Sequence, residues 1–239
     1  SLNARIGWDD AAFGALVAAF PNTGFMGVPL LVALLGAGAA GPAIVTIVVD
    51  LVITTSLCVA LSRLDGADEH GAARAAKNAL KAVLTNPMPW AISLGVLASA
   101  MSYELVGPLA KTVGLLADSA SPVALFTIGA VLARSHQLTR ATGHKPILLG
   151  DYLPIAFFKL LLHPLLVLLV FSAVIQLGLA MDRFTMVVVV LVAALPSASN
   201  VALLTERFDA DTGRVARIIL VTTVVAFFTF SGAVALLHA

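Results

Sequence analysis

The sequence predicts an all-α protein, a polytopic membrane helix bundle, and two observations carry this prediction. Of the 239 residues, 60% are hydrophobic and only 11% are charged, whereas a soluble domain carries about 25% charged residues. The apolar residues also fall into stretches long enough to cross a bilayer as helices, which takes about 20 residues. We therefore expect lipid to surround much of the chain. The net charge of +1 gives no basis for a nucleic-acid partner.

Seven candidate spans follow from the lengths of these apolar stretches. Two polar stretches, 63–81 and 134–145, are predicted to be loops. Asp211 and Thr212 suit the N-cap of the last span, because short polar side chains accept hydrogen bonds from the first N–H groups of a helix. The spans lie at about residues 9–37, 42–62, 84–102, 107–133, 152–179, 184–205 and 214–237.

Familiar catalytic and ligand-binding signatures are absent from the sequence. It contains no HExxH, no CxxC pair, no Walker loop and no GxSxG, so no enzyme activity, metal site or cofactor is predicted. Cys58 is the single cysteine and lies in an apolar run. An internal disulfide is therefore excluded, and the residue is expected to be small and buried.

The distribution of lysine and arginine predicts the orientation in the membrane. With seven spans, 11 of the 14 basic residues fall on the side of the segment that precedes the first span. Lys111 and Arg183 fall on the other side, and Lys159 lies within a span. Because basic loops stay in the cytoplasm, the segment before the first span is predicted to be cytoplasmic and the C-terminus extracytoplasmic.

Two proline-containing tracts occupy the middle of predicted spans. Residues 16–31 read LVAAFPNTGFMGVPLL and residues 191–204 read LVAALPSASNVALL. When Pro21 is aligned with Pro196, both tracts begin with LVAA, one large apolar residue and proline. The two spans run in opposite directions through the membrane. This pattern is typical of an inverted-repeat transporter fold with two discontinuous, proline-broken crossover helices.

The breaks themselves predict a binding site for an anionic solute. Proline removes an N–H group, and lipid cannot satisfy the freed backbone groups, so each break must face protein or a wet cavity. The N-termini of half-helices carry free N–H groups and partial positive charge. A simple proline kink healed by neighbouring helices is the alternative for either tract alone. The candidate crossover residues are Pro21, Asn22, Thr23, Gly24, Pro196, Ser197, Ser199 and Asn200.

Three ionisable residues inside the spans form a second candidate set. Asp50 has no basic residue nearby in sequence, and a charge at that depth is costly, so we expect it to be neutral, paired or next to water. It is the first candidate for proton coupling, with a hydrogen bond between packed helices as the alternative. Lys159 and His163 are four residues apart and share a helix face. Lys159 is expected to attract a substrate carboxylate, to pair with an acidic residue or to extend to the cytoplasmic interface.

Several of these segments resemble the auxin efflux carrier family, which includes plant carriers and bacterial organic-acid permeases. FPNTGFMGVPLL at 20–31 resembles the family's fourth helix, and the tract from Pro196 resembles its ninth. NPMPWAISLGVLAS, SPVALFTIGAVLA and FFKLLLHPLL resemble the sixth, seventh and eighth. The resemblance implies two inverted five-helix repeats whose fourth and ninth helices cross at their prolines. It also implies proton- or potential-driven movement of organic anions, such as malonate, malate or auxin-like acids, across a bacterial inner membrane.

The resemblance further implies how the chain is divided. Residues 1–62 correspond to the last two helices of the first repeat, 63–83 to a cytoplasmic loop and 84–239 to a complete second repeat. Three helices are expected before Ser1, so the chain is expected to be a fragment or to have lost its start. The partners expected are a small organic anion, membrane lipid and, in a homodimer, a second copy of the chain.

Two other functions remain open from the residues alone. A sodium-coupled carrier of the bile-acid type would need acidic and amide side chains clustered near the crossover, where only Asn22 and Asn200 are obvious. A non-transporting membrane subunit or sensor is the second alternative, supported by the expected absence of the first three helices.

Overall fold

The computed structural model describes residues 6–62, 87–142, 148–179 and 181–238. Within these residues all regular structure is helical, and the one β-type contact is an isolated antiparallel bridge between Pro21 and Ser197. The all-α prediction is therefore confirmed. The predicted loop at 63–83 lies outside the described residues.

The described residues form nine helices, and three of them contain a widened π-helical turn. These turns are Thr23–Gly27 in the second helix, Asp50–Thr54 in the third and Phe158–Leu162 in the sixth. The helices are α1 Trp8–Ala19, α2 Thr23–Leu35, α3 Ala37–Ser62, α4 Pro87–Ala100, α5 Gly107–Thr142, α6 Leu149–Gln176, α7 Arg183–Ala194, α8 Asn200–Arg207 and α9 Thr212–His238.

The helices follow the predicted spans, with the two proline tracts appearing as breaks. The first predicted span is divided into α1 and α2, and the sixth into α7 and α8. Helices α3, α6 and α9 are each long and apolar enough to cross a membrane. Each break separates a short apolar helix from a second short helix, as a discontinuous membrane helix requires.

Helix α5 corrects one of the predicted loops. It extends unbroken over 36 residues to Thr142, about 54 Å at the usual rise of a helix, so residues 134–142 are helical rather than part of a loop. A hydrocarbon core is about 30 Å thick. Helix α5 is thus longer than the apolar layer is thick, and a change to polar residues does not by itself end a helix.

The buried core consists of two clusters, one on each side of the breaks. The first joins α1 to α8, and the second joins α2 to α7; both draw on α3 and α9. The first half of one broken helix thus packs with the second half of the other, as two antiparallel broken helices must. The first cluster includes Phe13, Leu16, Val17, Phe20, Val201, Ile218 and Ile219, and the second Leu31, Ala43, Val188, Leu191, Leu195 and Phe230.

A buried arginine joins the starts of three helices. Arg214 donates from Nε to the carbonyl of Asp151 at 2.7 Å and from Nη1 to the carbonyl of Asp10 at 2.9 Å. Its own N–H donates to Oδ1 of Asp211 at 2.9 Å, so the predicted N-cap of the last span is confirmed. Asp10 Oδ1 accepts from the Asp211 N–H at 2.7 Å. These bonds fix α1, α6 and α9 to one another at one end of the bundle.

The start of helix α7 is capped by a side chain. Asp182 Oδ2 accepts a hydrogen bond from the Thr185 N–H at 3.0 Å. The bond from this N–H, followed by that from Phe184, lowers the pKa of the Asp182 carboxyl. The capped start and the proline at the end limit α7 to the 12 residues from Arg183 to Ala194.

Gly27 allows α2 to pass close to the end of α7. A Cβ atom built on Gly27 would lie 2.6 Å from Cδ1 of Leu195 and 3.2 Å from Cγ2 of Thr23. Leu195 is completely buried, so its side chain has little room to move away.

We expect Gly27→Ala to destabilise the protein, because the added methyl group overpacks the contact with Leu195. Overpacking of this kind costs about 1–3 kcal/mol. The measurement is the apparent melting temperature of the purified protein in detergent. Gly232→Ala is the matched control, since nothing lies within 4 Å of a Cβ built there. Equal melting temperatures for the two variants would contradict this packing.

Candidate functional site

The two broken helices cross at their prolines and pair through their backbones. The N–H of Asn22 donates to the carbonyl of Pro196 at 2.8 Å, and the N–H of Ala198 donates to the carbonyl of Phe20 at 2.9 Å. We call the paired segments, 20–22 and 196–198, the crossover. The bonds form the antiparallel bridge between Pro21 and Ser197, so each break supplies partners for the other.

Ser197 replaces a hydrogen bond that Pro21 removes from the end of α1. In an unbroken helix the Val17 carbonyl would accept a hydrogen bond from residue 21, but proline has no N–H. The Ser197 hydroxyl donates to this carbonyl instead, at 2.7 Å. The backbone N–H of Ser197 donates in turn to Oγ1 of Thr222 in α9 at 3.2 Å. Ser197 is fully buried, and its side chain joins the two halves of the crossover.

A cavity of about 750 Å³ lies on one side of the crossover; we call it the crossover cavity. Among the candidate residues, Asn22, Thr23, Gly24 and Asn200 line it. The first turn of α2 faces it through Gly24 and Phe25, and N–H groups in a first helical turn have no acceptor inside the helix. The cavity thus brings two amide side chains together with the N-terminal end of a half-helix.

Asn22 and Ser199 retain unused hydrogen-bonding capacity. Asn22 is only 8% exposed, and among the described residues its Oδ1 has no hydrogen-bond partner. The buried hydroxyl of Ser199, just before α8, likewise has no partner within the described part of the chain. A buried polar group without a partner costs free energy, so a ligand or water that bonded to Asn22 would recover that cost.

A second cavity, of about 610 Å³, lies on the other side of Pro21; we call it the rear cavity. Its lining is largely apolar, from α3, α6 and α7, and includes Asp50, His163 and Ala193. Pro21 borders both cavities. The crossover is therefore a partition between two spaces, one lined by amides and one by ionisable groups.

The structure brings the three ionisable candidates together behind the crossover. Lys159 Nζ lies 2.9 Å from Nδ1 of His163 and donates to the carbonyl of Ala193 at 3.0 Å. Asp50 in α3 lines the rear cavity together with His163, and its Oδ1 accepts a hydrogen bond from Thr54 Oγ1 at 3.1 Å. Lys159 is completely buried, so the expectation that it extends to the cytoplasmic interface is wrong. The buried carbonyl and imidazole hold it inside instead.

Thr222 is a site residue that the sequence did not single out. It is completely buried, and its hydroxyl bonds both to the Ser197 N–H and to the Ile219 carbonyl. In the sequence it is one of two adjacent threonines in an apolar span. Threonines in such spans commonly bond to their own helix, so the position of Thr222 in the sequence did not indicate a contact with the crossover.

Comparison with known proteins identifies the family. A family model described as "Membrane transport protein" matches residues 4–234. The chain belongs to the membrane transport protein family. This match confirms the resemblance to auxin efflux carriers, and the family is one of transporters rather than enzymes. With three helices long enough to cross a bilayer, the chain is an integral membrane protein.

Two bacterial proteins with transporter names are similar to this chain over most of its length. One, named "Putative malonate transporter", is from Rhizobium meliloti (strain 1021) and is 29% identical over 223 residues, or 93% of this chain. The other, "Uncharacterized transporter YfdV" of Escherichia coli (strain K12), is 28% identical over 208 residues, or 85% of this chain. The matched regions cover 66% and 60% of the lengths of these relatives.

We expect Ser197→Ala to destabilise the protein, because it leaves the Val17 carbonyl without its donor in an apolar setting. The cost of such an unsatisfied group is about 1–3 kcal/mol, measured as a lower melting temperature in detergent. Ser199→Ala is the matched control, since the Ser199 hydroxyl bonds to nothing in the described residues. If Ser199→Ala lowered the melting temperature as much as Ser197→Ala, the assigned role of Ser197 would be wrong.

Proposed function

We propose that this protein is a secondary transporter of small organic anions that holds its substrate in the crossover cavity. The family match and the transporter names of the relatives support transport. The relative named for malonate makes this dicarboxylate the first substrate to test. Malate and auxin-like aromatic acids belong to the same chemical class and are the next probes.

The crossing of the two broken helices is the observation that carries this proposal. It places the Asn22 amide and the N-terminal turn of α2 on one cavity wall. An amide donates to a carboxylate, and the N-terminal end of a helix favours negative charge. Asn200 and Thr23 add polar groups to the same space. A cavity of about 750 Å³ is within the usual size range of sites for small molecules.

The rear cavity supports a role for charge in driving transport. Asp50 lines this cavity together with His163, and Pro21 and Val45 border both this cavity and the crossover cavity. We propose that Asp50 is the proton-coupling residue, since ionisable groups inside membrane helices commonly mark ion pathways. The basic residues further support a C-terminus on the extracytoplasmic side of a bacterial inner membrane.

The proposed division of the chain follows the packing of the broken helices. Residues 1–62 contain the first crossover segment, and 84–239 contain the second, with 63–83 as the connecting loop. The pairing of α1 with α8 and of α2 with α7 supports two oppositely directed repeats. Relative movement of parts of the bundle would then open the crossover cavity to each side of the membrane in turn.

We expect Asn22→Ala to raise the KM for malonate, because the variant removes the amide from the wall of the crossover cavity. A hydrogen bond to a charged group contributes about 1.5–3 kcal/mol, which corresponds to an increase of roughly ten- to a hundredfold. The measurement is the initial rate of radiolabelled malonate uptake by proteoliposomes. Ser231→Ala is the control, because that hydroxyl lies on the exposed face of α9 and bonds to its own helix.

The outcomes of this experiment separate the activity from the site. If the wild-type protein moves neither malonate, malate nor an aromatic carboxylate, the proposed function is wrong. If the wild type transports malonate and Asn22→Ala keeps the wild-type KM, the function stands and the crossover cavity is not the substrate site.

A further inference from the structure

Ala193 is one of the residues at the end of α7 whose backbone carbonyls lose their ordinary helical donors. In a continuing helix the Ala193 carbonyl would accept a hydrogen bond from the N–H of residue 197. The Ser197 N–H instead bonds to Thr222 Oγ1. The N–H of Leu195 serves the Val192 carbonyl at 3.1 Å. Because Ala193 is buried, its carbonyl needs a donor from another helix.

Lys159 supplies that donor from α6. Its Nζ lies 3.0 Å from the Ala193 carbonyl oxygen, and its side chain is completely buried. Lys159 lies in the widened turn Phe158–Leu162, where the N–H of His163 reaches back five residues to the Phe158 carbonyl. Such turns are rare and occur frequently at functional sites. The C-terminal end of a helix carries partial negative charge, so a cation at the end of α7 is stabilising.

The groups around Lys159 resemble the ligands of a bound cation. His163 Nδ1, at 2.9 Å, accepts from an ammonium when the ring proton is on Nε2. The two contacts of the ammonium are thus a backbone carbonyl at a helix break and an imidazole nitrogen. Asp50 of α3 lines the same cavity as Ala193 and His163 and supplies a carboxyl group nearby. In transporters with broken helices, the carbonyl ends of half-helices are where sodium ions or protons bind.

We propose that the ammonium group of Lys159 is a built-in cation that occupies the ion position behind the crossover. It closes the carbonyl end of α7 and joins it to His163 of α6, so the crossover keeps its shape without a bound sodium ion. Lys159 is then a positioning residue rather than a ligand of the substrate. This inference rests on the proposed function in one respect, that transport does not require sodium; the role of Lys159 at the crossover is independent of it.

The first test measures thermal stability and does not depend on transport. Lys159→Ala removes the cation, which leaves the Ala193 carbonyl without its donor and Asp50 without the nearby positive charge. We expect the apparent melting temperature in detergent to fall by on the order of 10 °C, as when one partner of a buried charge pair is removed. Lys159→Ala combined with Asp50→Asn should fall less than the two single variants added together, because the unpaired carboxylate is gone.

Sodium provides a readout that a merely structural lysine would not give. Sodium chloride, compared with an equal concentration of choline chloride, should raise the melting temperature of Lys159→Ala by a few degrees. It should not raise that of the wild type or of the double variant. Lys111→Ala is the matched control, since Lys111 is exposed on α5, and it should behave as the wild type in both salts.

Flux measurements complete the test in proteoliposomes. Wild-type malonate transport should have the same rate in sodium and in choline, and Lys159→Ala should lower kcat with little change in KM. The proposal is overturned if Lys159→Ala is no less stable than Lys111→Ala, if the two single effects add, if sodium fails to stabilise Lys159→Ala, or if wild-type transport requires sodium. Absence of any wild-type flux would refute the proposed function alone, since the melting experiments still decide the role of Lys159.

Discussion

The mutual pairing of two broken helices is the constraint on which the rest of this structure depends. Each proline removes an N–H in the middle of an apolar span, and lipid offers no replacement. The two breaks resolve this by donating to each other, from Asn22 to Pro196 and from Ala198 to Phe20. A single broken helix has no second break to exchange hydrogen bonds with, so its freed groups would need other partners. The presence of the second tract is therefore what makes the first one stable.

This pairing also determines where the open space lies. Two segments that cross in extended form are thinner than two packed helices, so side chains cannot fill both sides of the crossing. The crossover cavity and the rear cavity meet at Pro21, which borders both. The two core clusters lie along the half-helices beyond the crossing. A change in the position of the crossover would therefore alter both cavities at once.

Much of this arrangement could be predicted from the sequence. The features that were predicted and those that were missed both have physical explanations. The apolar stretches gave the helices because their length and composition are set by the bilayer. The two proline tracts gave the crossing because an unsatisfied break in lipid demands a partner. The extent of α5 was missed because a change to polar residues reports the membrane boundary and not the end of a helix. The burial of Lys159 was missed because its partner, the Ala193 carbonyl, becomes available only when Ser197 bonds elsewhere.

The hydrogen-bond partners divide the candidate residues into two groups that composition could not distinguish. Ser197 and Lys159 have polar atoms that are already bonded to carbonyls of the crossing helices. Substituting either residue should therefore lower the melting temperature of the protein. Asn22 and Ser199 hold buried oxygens that bond to nothing in the described residues. A protein tolerates such groups only where something else satisfies them, and water or a hydroxyl group can donate to the Asn22 oxygen, whereas a carboxylate cannot. Asn22, whose oxygen is unpaired in that part of the chain, lines the crossover cavity, whereas the proposed Lys159 cation lies on the other side of Pro21. In the proposals made above, the substrate and the Lys159 cation thus lie on opposite sides of Pro21.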